Sequence, residues 1–382
     1  MDIQKKYHKK TILQVVPALI SGGVERGTLE IAKKIAESGN ISIVVSSGGP
    51  LVDCLIEDGS QHIEMNVASK NPFTIWSNAG KIAKIIREYN VDIVHARSRA
   101  PAWSCYFAAK STGIKLITTF HGIYNFKTQI KKYYNSVMAR GAQIIAVSNF
   151  VKKHIVEKYN IEENNICVIH RGVNHNEFSK DVVSQELLAK FREKYNVPKN
   201  TPVILLPSRA TRWKGHLVLI DAIEKIKHLN FYCIMAGDLA RHPNFVSDVN
   251  CKIQEYKIQN RVQLFGNEPN ILGLYAISDI IVSASIEPEA FGRTVIEAQA
   301  MEKLVIATNI GGACETISDG INGFHVKVGD SNDLAAKLEY CLSIIGSSEA
   351  QKITSAARES TIINFSLDHM IENTLSIYNE TK

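Results

Sequence analysis

The sequence predicts an α/β protein made of two doubly wound domains with mostly parallel sheets. Three observations predict it. Short apolar runs of strand length alternate with stretches of helical period over residues 11–170. The alternation loosens across 173–200 and begins again at 203. Glycine, serine, proline or charged residues follow the apolar runs, where parallel βα units place their loops. A chain of 382 residues has length for two ordinary domains.

In the first half, 11–16 reads as a strand, and Ser21-Gly22-Gly23-Val24-Glu25-Arg26 turns the chain into a helix ending at Ser38. Strands follow at 41–46, 62–67, 92–96, 115–120, 143–147 and 166–170. The periodic stretches between them predict helices at 74–89, 102–111, 128–140 and 150–159. A helix over 185–195 stops before Pro198. The second series places strands at 203–207, 231–236, 262–265, 280–283, 304–308 and 323–328. Its helices fall at 217–227, 245–256, 292–302 and 334–345, with two more at 349–363 and 367–378. The expected division is a first domain over 1–178 and a second over 179–365, with the last helix, 366–382, packing back on the first. Two such domains ordinarily enclose a cleft between the carboxyl edges of their sheets.

A hydrophobic content of 45% against 21% charged residues describes a globular chain that buries sizeable cores. No apolar run reaches the ~18 residues a membrane span needs. The basic stretch Met1–Lys10 leads into a strand and not into a signal-peptide core. Seven scattered cysteines without a Cys-x-x-Cys pair point to reduced thiols in the cytoplasm, not to a disulfide framework or a zinc site. The net charge of +6 is uneven. Residues 1–182 carry 24 Lys and Arg against 15 Asp and Glu; residues 183–382 carry 20 against 23. Between Ile93 and Val156 there are ten Lys or Arg and no acid, which suggests an anionic partner for the first half.

The richest stretch is Ser283–Glu297. It follows Ile280-Ile281-Val282, is broken by Pro288, and resumes helical period at Gly292. Glu289 is thus expected in a loop at a strand's carboxyl end, and Glu297 about two turns into the next helix. The backbone amides of Ala290, Phe291, Gly292 and Arg293, at a helix start, would favour an anion. Two acids around such a start suit a ligand with both hydroxyls and phosphate. Arg209 and Lys214 bracket the loop after the strand 203–207; a guanidinium fork and an ammonium there would neutralise a diphosphate. Gly22-Gly23 would let a phosphate approach the backbone, or would serve a plain tight turn. A full G-x-G-x-x-G is missing, and no acid ends the second strand, so a dinucleotide site is not expected. His121 ends the strand 115–120 and is either structural or a substrate contact. Gly311-Gly312, with Glu315 beyond, would allow close ligand approach at another strand-to-helix turn.

Taken together these residues resemble the retaining glycosyltransferases of the large family 4, of GT-B fold: two Rossmann-like domains facing each other across a cleft. The likeness covers nearly the whole chain and is strongest over 203–328. It implies that Arg209 and Lys214 hold the donor diphosphate and that Glu289 and Glu297 form the family's pair of acids spaced by seven. In that pair the first contacts the transferred sugar and the second the ribose. It implies that Gly22-Gly23 lies under the phosphates, that His121 faces the sugar near the reacting carbon, and that 309–315 lines the donor pocket. Two departures stand out: Glu302 and Leu304 replace the family's Gly and Pro, predicting a less sharp turn, and Arg171-Gly172-Val173-Asn174 replaces Asn-Gly-Val-Asp.

The implied function is retaining transfer of a hexose or N-acetylhexosamine from a nucleotide sugar to a lipid-linked glycan or lipopolysaccharide-type acceptor. The resemblance implies a UDP-sugar donor, with a GDP-sugar left open. The nucleotide sugar is a co-substrate, and no obligatory metal or other cofactor is expected. A GT-B-fold sugar-nucleotide epimerase is the alternative. Nucleic acid is not an expected partner, because the second half is acidic and carries no recognition motif. Over 124–140, Phe126, Ile130, Tyr133, Tyr134 and Val137 share a helical face beside Lys127, Lys131, Lys132 and Arg140. Either that face rests on an anionic bilayer, at the inner side of the cytoplasmic membrane, or it packs into the first domain's core.

Overall fold

The computed structural model describes residues 9–20 and 22–380. Ser21 and the first eight residues of the basic N-terminal stretch lie outside them, as do Thr381 and Lys382. The chain divides into a first unit, running to His170 and resuming at Met370, and a second, Arg171–His369. That division falls earlier than residue 178. Val173 bridges Ser366, and a side chain at Gly172 would meet the Leu367 Cα at 2.5 Å, so this segment packs as part of the second unit.

The first unit contains β1 (Thr11–Val15), α1 (Gly23–Glu37), β2 (Ile41–Ser46), α2 (Val52–Glu57), β3 (Gln61–Glu64), α3 (Pro72–Glu88) and β4 (Ile93–Ala96). After these come α4 (Arg99–Thr112), β5 (Lys115–Phe120), α5 (Gln129–Asn135), β6 (Gln143–Ala146), α6 (Asn149–Tyr159) and β7 (Ile166–Val168). The seven strands form one parallel sheet in the order β3-β2-β1-β4-β5-β6-β7. The central strands β1 and β4 are buried along their length, as strands covered on both faces must be. Asn71 caps α3 by accepting from the Phe73 and Thr74 amides, with Pro72 at the first helical position.

The second unit contains α7 (Gln185–Lys194), β8 (Val203–Pro207), α8 (His216–Lys225), β9 (Tyr232–Ala236), α9 (Pro243–Glu255), β10 (Val262–Phe265) and α10 (Ile271–Ile277). It continues through β11 (Ile280–Ser283), α11 (Arg293–Ala300), β12 (Leu304–Thr308), β13 (Phe324–Val326), α12 (Ser331–Ile344) and α13 (Ser348–Asn364). Its parallel sheet runs β10-β9-β8-β11-β12-β13. Ile204, Leu206, Cys233, Met235, Ile280, Val282 and Ile306 fill one face against α8 and α12. The last helix, α14 (Leu367–Glu380), begins in the second unit and ends in the first. There the Tyr378 hydroxyl lies 2.7 Å from Nδ1 of buried His95, whose Nε2 lies 2.7 Å from the Thr119 hydroxyl.

Two local expectations are corrected. The stretch 128–140 is not one helix: α5 stops at Asn135 and a tighter 3-10 turn, Ser136–Arg140, follows. Asn135 is buried there, accepting from Arg99 at 2.8 Å, and Thr118 donates to the Met138 carbonyl at 2.6 Å. The turn after α11 is not blunted by the loss of glycine. Glu302 itself adopts the left-handed conformation, φ 53°. It holds Lys180 at 2.8 Å and Arg358 at 3.9 Å.

Candidate active site

In a doubly wound sheet, the crevice that accepts a ligand opens where adjacent strands send their connections in opposite directions. In the second unit that point lies between β8 and β11, since β9 and β10 extend to one side and β12 and β13 to the other. The loops that leave it carry Arg209 and Lys214 after β8, and Glu289 after β11. Lys214 Nζ stands 2.8 Å from Glu289 Oε1, with both side chains largely buried. Two residues seventy-five apart in sequence are thereby joined.

Glu289 is held from three directions. Ser285 donates a short hydrogen bond to its Oε1, and Ser283 lies 3.5 Å from the same oxygen. From the β8 side, the Ile286 amide donates to the Trp213 carbonyl at 2.7 Å. Gly215, at φ +74°, lies so close to β11's loop that a Cβ would sit 1.8 Å from the Ala284 carbonyl oxygen. From the β12 side, Glu289 forms a bridge with Gly311, and the Gly312 amide donates to the Glu289 carbonyl at 2.8 Å. A Cβ on Gly311 would stand 2.5 Å from that oxygen, and one on Gly312 would stand 2.2 Å from the Ala290 oxygen. The space these glycines leave is therefore taken by protein backbone rather than left for a ligand to enter.

Burial pushes the Glu289 carboxyl up, but the Lys214 charge and the hydrogen bonds from Lys214, Ser285 and Ser283 outweigh it. The carboxyl is held below its ordinary value of 4.5, so it is ionised at neutral pH. Next to the pair, burial and then the Lys214 charge push buried His216 down to about 4. Lys214 also rests 4.4 Å above the Trp213 ring. Arg209 is exposed, and its guanidinium has no carboxylate partner among the described residues. It remains available to an anionic ligand, whereas Arg212, in the same loop, is held by Asp248 at 2.7 Å.

Helix α11 opens behind Gly292 at φ 91°, with Phe291 buried against Phe365. Glu297 is the fifth residue of α11, one turn in and not two, because the helix starts at Arg293. Both its oxygens are engaged: Tyr275 donates to Oε2 at 3.0 Å and Arg293 lies 3.3 Å from Oε1. The carboxylate is thus pre-oriented near a helix end whose partial positive charge attracts anions.

In the first unit the corresponding switch point lies between β1 and β4. Gly22 follows β1 at φ 125° and opens α1, with both Gly22 and Gly23 exposed. His121 is the first residue after β5, one strand away, and is half-buried. After β4, Arg97 is buried and donates to Gln14 Oε1 at 3.1 Å. Sequence reasoning assigns it no role, and assigns none to Ser283, Ser285, Tyr275 or Gly215. The two serines had a local signal, since small hydroxyls four and six residues before a loop Glu can reach it. Tyr275 had none. Among the described residues no group of three or more His, Cys, Asp or Glu side chains gathers as a metal site.

Two family models match. Residues 21–177 match Glycosyltransferase Family 4, and residues 189–360 match Glycosyl transferases group 1. A glycosyltransferase from Rickettsia africae ESF-5 is 58% identical, with a TM-score of 0.92 over 98% of this chain and 99% of that one. Anabaena Alr3699/HepE, solved in complex with UDP and glucose, shares the fold at 23% identity and a TM-score of 0.85, over 97% of this chain and 100% of that one. The N,N'-diacetylbacillosaminyl-diphospho-undecaprenol alpha-1,3-N-acetylgalactosaminyltransferase of Campylobacter jejuni is 26% identical over 292 residues, covering 73% of this chain and 75% of its own. With two parallel-sheet units, each with its loops gathered at a switch point, and with these matches, the chain belongs to the glycosyltransferases of GT-B fold.

Proposed function

We propose that this glycosyltransferase moves a hexose or N-acetylhexosamine from a UDP-sugar to a lipid-linked glycan acceptor, with retention at the anomeric carbon. The observation that carries the reading is the Lys214–Glu289 pair at the β8/β11 switch point, 2.8 Å long, with exposed Arg209 in the same loop after β8. A cation and an ionised acid at one crevice suit a ligand whose phosphates and sugar hydroxyls need opposite partners. The UDP and glucose held by the Anabaena relative support the donor class, and the undecaprenol-linked acceptor of the Campylobacter relative supports the acceptor class.

In this mechanism the bond between the anomeric carbon and the diphosphate oxygen breaks, leaving both electrons on UDP. Arg209 and Lys214 take up that charge as it develops, where fixed charges lower the barrier most. Glu289, already ionised and locked by Ser285, accepts hydrogen bonds from the sugar hydroxyls and orients the ring. Glu297 accepts from the ribose; for Gly22, Gly23 and His121 the family resemblance supports roles toward the phosphates and the sugar. The acceptor hydroxyl bonds to that carbon from the face UDP leaves, and its proton passes to the departing phosphate oxygen.

The test is transfer by the full chain from a panel of UDP-, GDP- and ADP-sugars to an undecaprenyl-diphosphate-linked saccharide. UDP release and the anomeric NMR signal of the product are the readouts. The α-linked product from a UDP-sugar is expected. Turnover confined to GDP- or ADP-sugars rejects the donor assignment, and an inverted anomer rejects the mechanism.

A further inference from the structure

The carboxyl edge of the first sheet continues past its switch point to a groove of about 650 Å³, between the end of β3 and the first turns of α3. Glu64, Asn66, Phe73, Thr74, Ser77 and Lys81 line it. Phe73, Ser77 and Lys81 stand four apart on α3, so a ring, a hydroxyl and an ammonium share one helical face. Phe73 is 87% exposed.

The loop between the two elements is fixed from beneath. The Met65 amide donates to the Ser46 carbonyl at 2.8 Å, and buried Asn78 of α3 donates to the Asn66 carbonyl at 2.8 Å. The Asn66 side chain stays exposed. Among the described residues, the side chains of Glu64, Asn66, Thr74, Ser77 and Lys81 make no hydrogen bond or ion pair with protein. Other helical hydroxyls of this unit turn back on their own helix, as Thr28 does to the Val24 carbonyl and Thr112 to that of Ala108, each at 2.8 Å; Ser77 does not.

β3 lies two strands from β1, about 10 Å across the sheet. The ground between is continuous. A Cβ added to Gly48, in the loop after β2, would meet the Glu64 carboxyl carbon at 3.6 Å. That loop is tied to the one after β1: the Leu19 amide donates to the Gly48 carbonyl at 2.8 Å, and the Leu51 amide donates to the Leu19 carbonyl at 3.0 Å. The groove and the crevice between β1 and β4 thus share one unbroken edge of loops.

We propose that the β3–α3 groove is a saccharide subsite for the acceptor, holding a neutral sugar one or two units away from the one whose hydroxyl reacts. A pyranose is about as long as one strand spacing, which sets that separation. Glu64 and Lys81 cancel in charge, so a charged ligand gains nothing net. Sugar hydroxyls both donate and accept, as a carboxylate, an ammonium, an amide and two hydroxyls require. The polarised C–H face of a pyranose suits the negative face of the Phe73 ring. A lipid chain would cover Glu64, Asn66 and Lys81 without replacing the water they lose. The inference rests on the glycosyltransferase reading above and makes its acceptor an oligosaccharide of two units or more.

The experiment has two arms, both on the full chain. The first is saturation-transfer NMR without donor, using methyl glycosides of neutral hexose and N-acetylhexosamine oligomers beside uronic-acid and phosphorylated counterparts. Neutral oligomers should bind, and Phe73→Ala, or Asn66→Ala with Ser77→Ala, should weaken binding about tenfold. The second is transfer from a UDP-sugar to the undecaprenyl-diphosphate-linked saccharide. The same variants should raise the acceptor KM about tenfold and leave kcat and the donor KM unchanged, as a contact equally strong in ground and transition states requires. All three side chains are exposed, so thermal melts should match wild type. Loss of saccharide binding with transfer intact strikes the groove alone; binding at the groove without any transfer strikes the reading above and leaves the groove. No binding by any neutral oligomer, binding unchanged in both variants, tighter binding of the charged counterparts, or a fall in kcat in place of the rise in KM would overturn the proposal.

Discussion

The Lys214 ammonium lies 2.8 Å from the Glu289 carboxylate, and the two side chains are about equally buried. Each is the other's principal countercharge, and this sets the consequences of changing either one. Lys214→Ala leaves a buried carboxylate with only serine partners, a change that costs about 3 kcal/mol or more. The carboxyl then rises toward protonation, and turnover falls at least about a hundredfold as the diphosphate loses a cation. Lys214→Met with Glu289→Gln removes both charges, and urea unfolding should recover most of the lost stability while activity stays absent. Stability that fails to recover in the double variant would show that the two charges are not coupled.

His216, beside this pair, supplies a pH signature. Folded, its imidazole is held down to about 4 by burial and by Lys214, against an ordinary value of 6.5. Between those values the unfolded chain binds one proton more than the folded chain, so stability rises with pH across that window and is lost as pH falls from 6.5 toward 4. The shift corresponds to roughly 3 kcal/mol. Glu289, whose carboxyl lies below 4.5, adds a loss of the same sign at more acid pH. Urea midpoints of His216→Phe should be flatter than wild type between pH 6.5 and 4; equal slopes would reject the assignment.

Gly311 tests how Glu289 is placed. Its φ of +71° and the 2.5 Å approach of the Glu289 oxygen both oppose a side chain. Gly311→Ala should cost about 2 kcal/mol or more and lower kcat at least about tenfold, since a displaced Glu289 no longer orients the sugar. Gly329, at φ +72° with nothing within 4 Å, isolates the dihedral cost, so Gly329→Ala should destabilise by only about 1 kcal/mol with normal turnover.

Glu302 occupies a left-handed position without being glycine. Glu302→Gly removes the backbone strain but also the Lys180 and Arg358 contacts, while Glu302→Ala removes the contacts and keeps the strain. The Gly variant should be more stable than the Ala variant by about 1 kcal/mol in thermal or urea melts. Equal stability would mean that the turn opens when the ion pairs are lost.

Much of this molecule follows from short-range sequence. Alternating apolar runs and helical periods locate nearly every strand, because burial on both faces of a parallel sheet demands continuous apolar runs such as Ile280-Ile281-Val282. The short helices α2 and α10, with only six and seven residues, carry too little period to be read. The placement of Arg209, Lys214 and Glu289 after strand ends was equally legible, since Gly, Ser and Pro mark where strands stop.

What the chain alone could not decide is which loops meet. Strand order sets β8 beside β11 and so brings Lys214 to Glu289, and it lays the β12 loop against both through Gly311 and Gly312. The same holds between helices of the first unit, where Trp76 of α3 meets Phe107 of α4 and Trp103 of α4 meets Tyr133 of α5 with no local period to announce either contact. Periodicity is a property of neighbours along the chain, whereas strand order and helix packing arise from long-range burial. Residue types and their approximate edge were therefore written in the sequence, and their partners only in the tertiary structure.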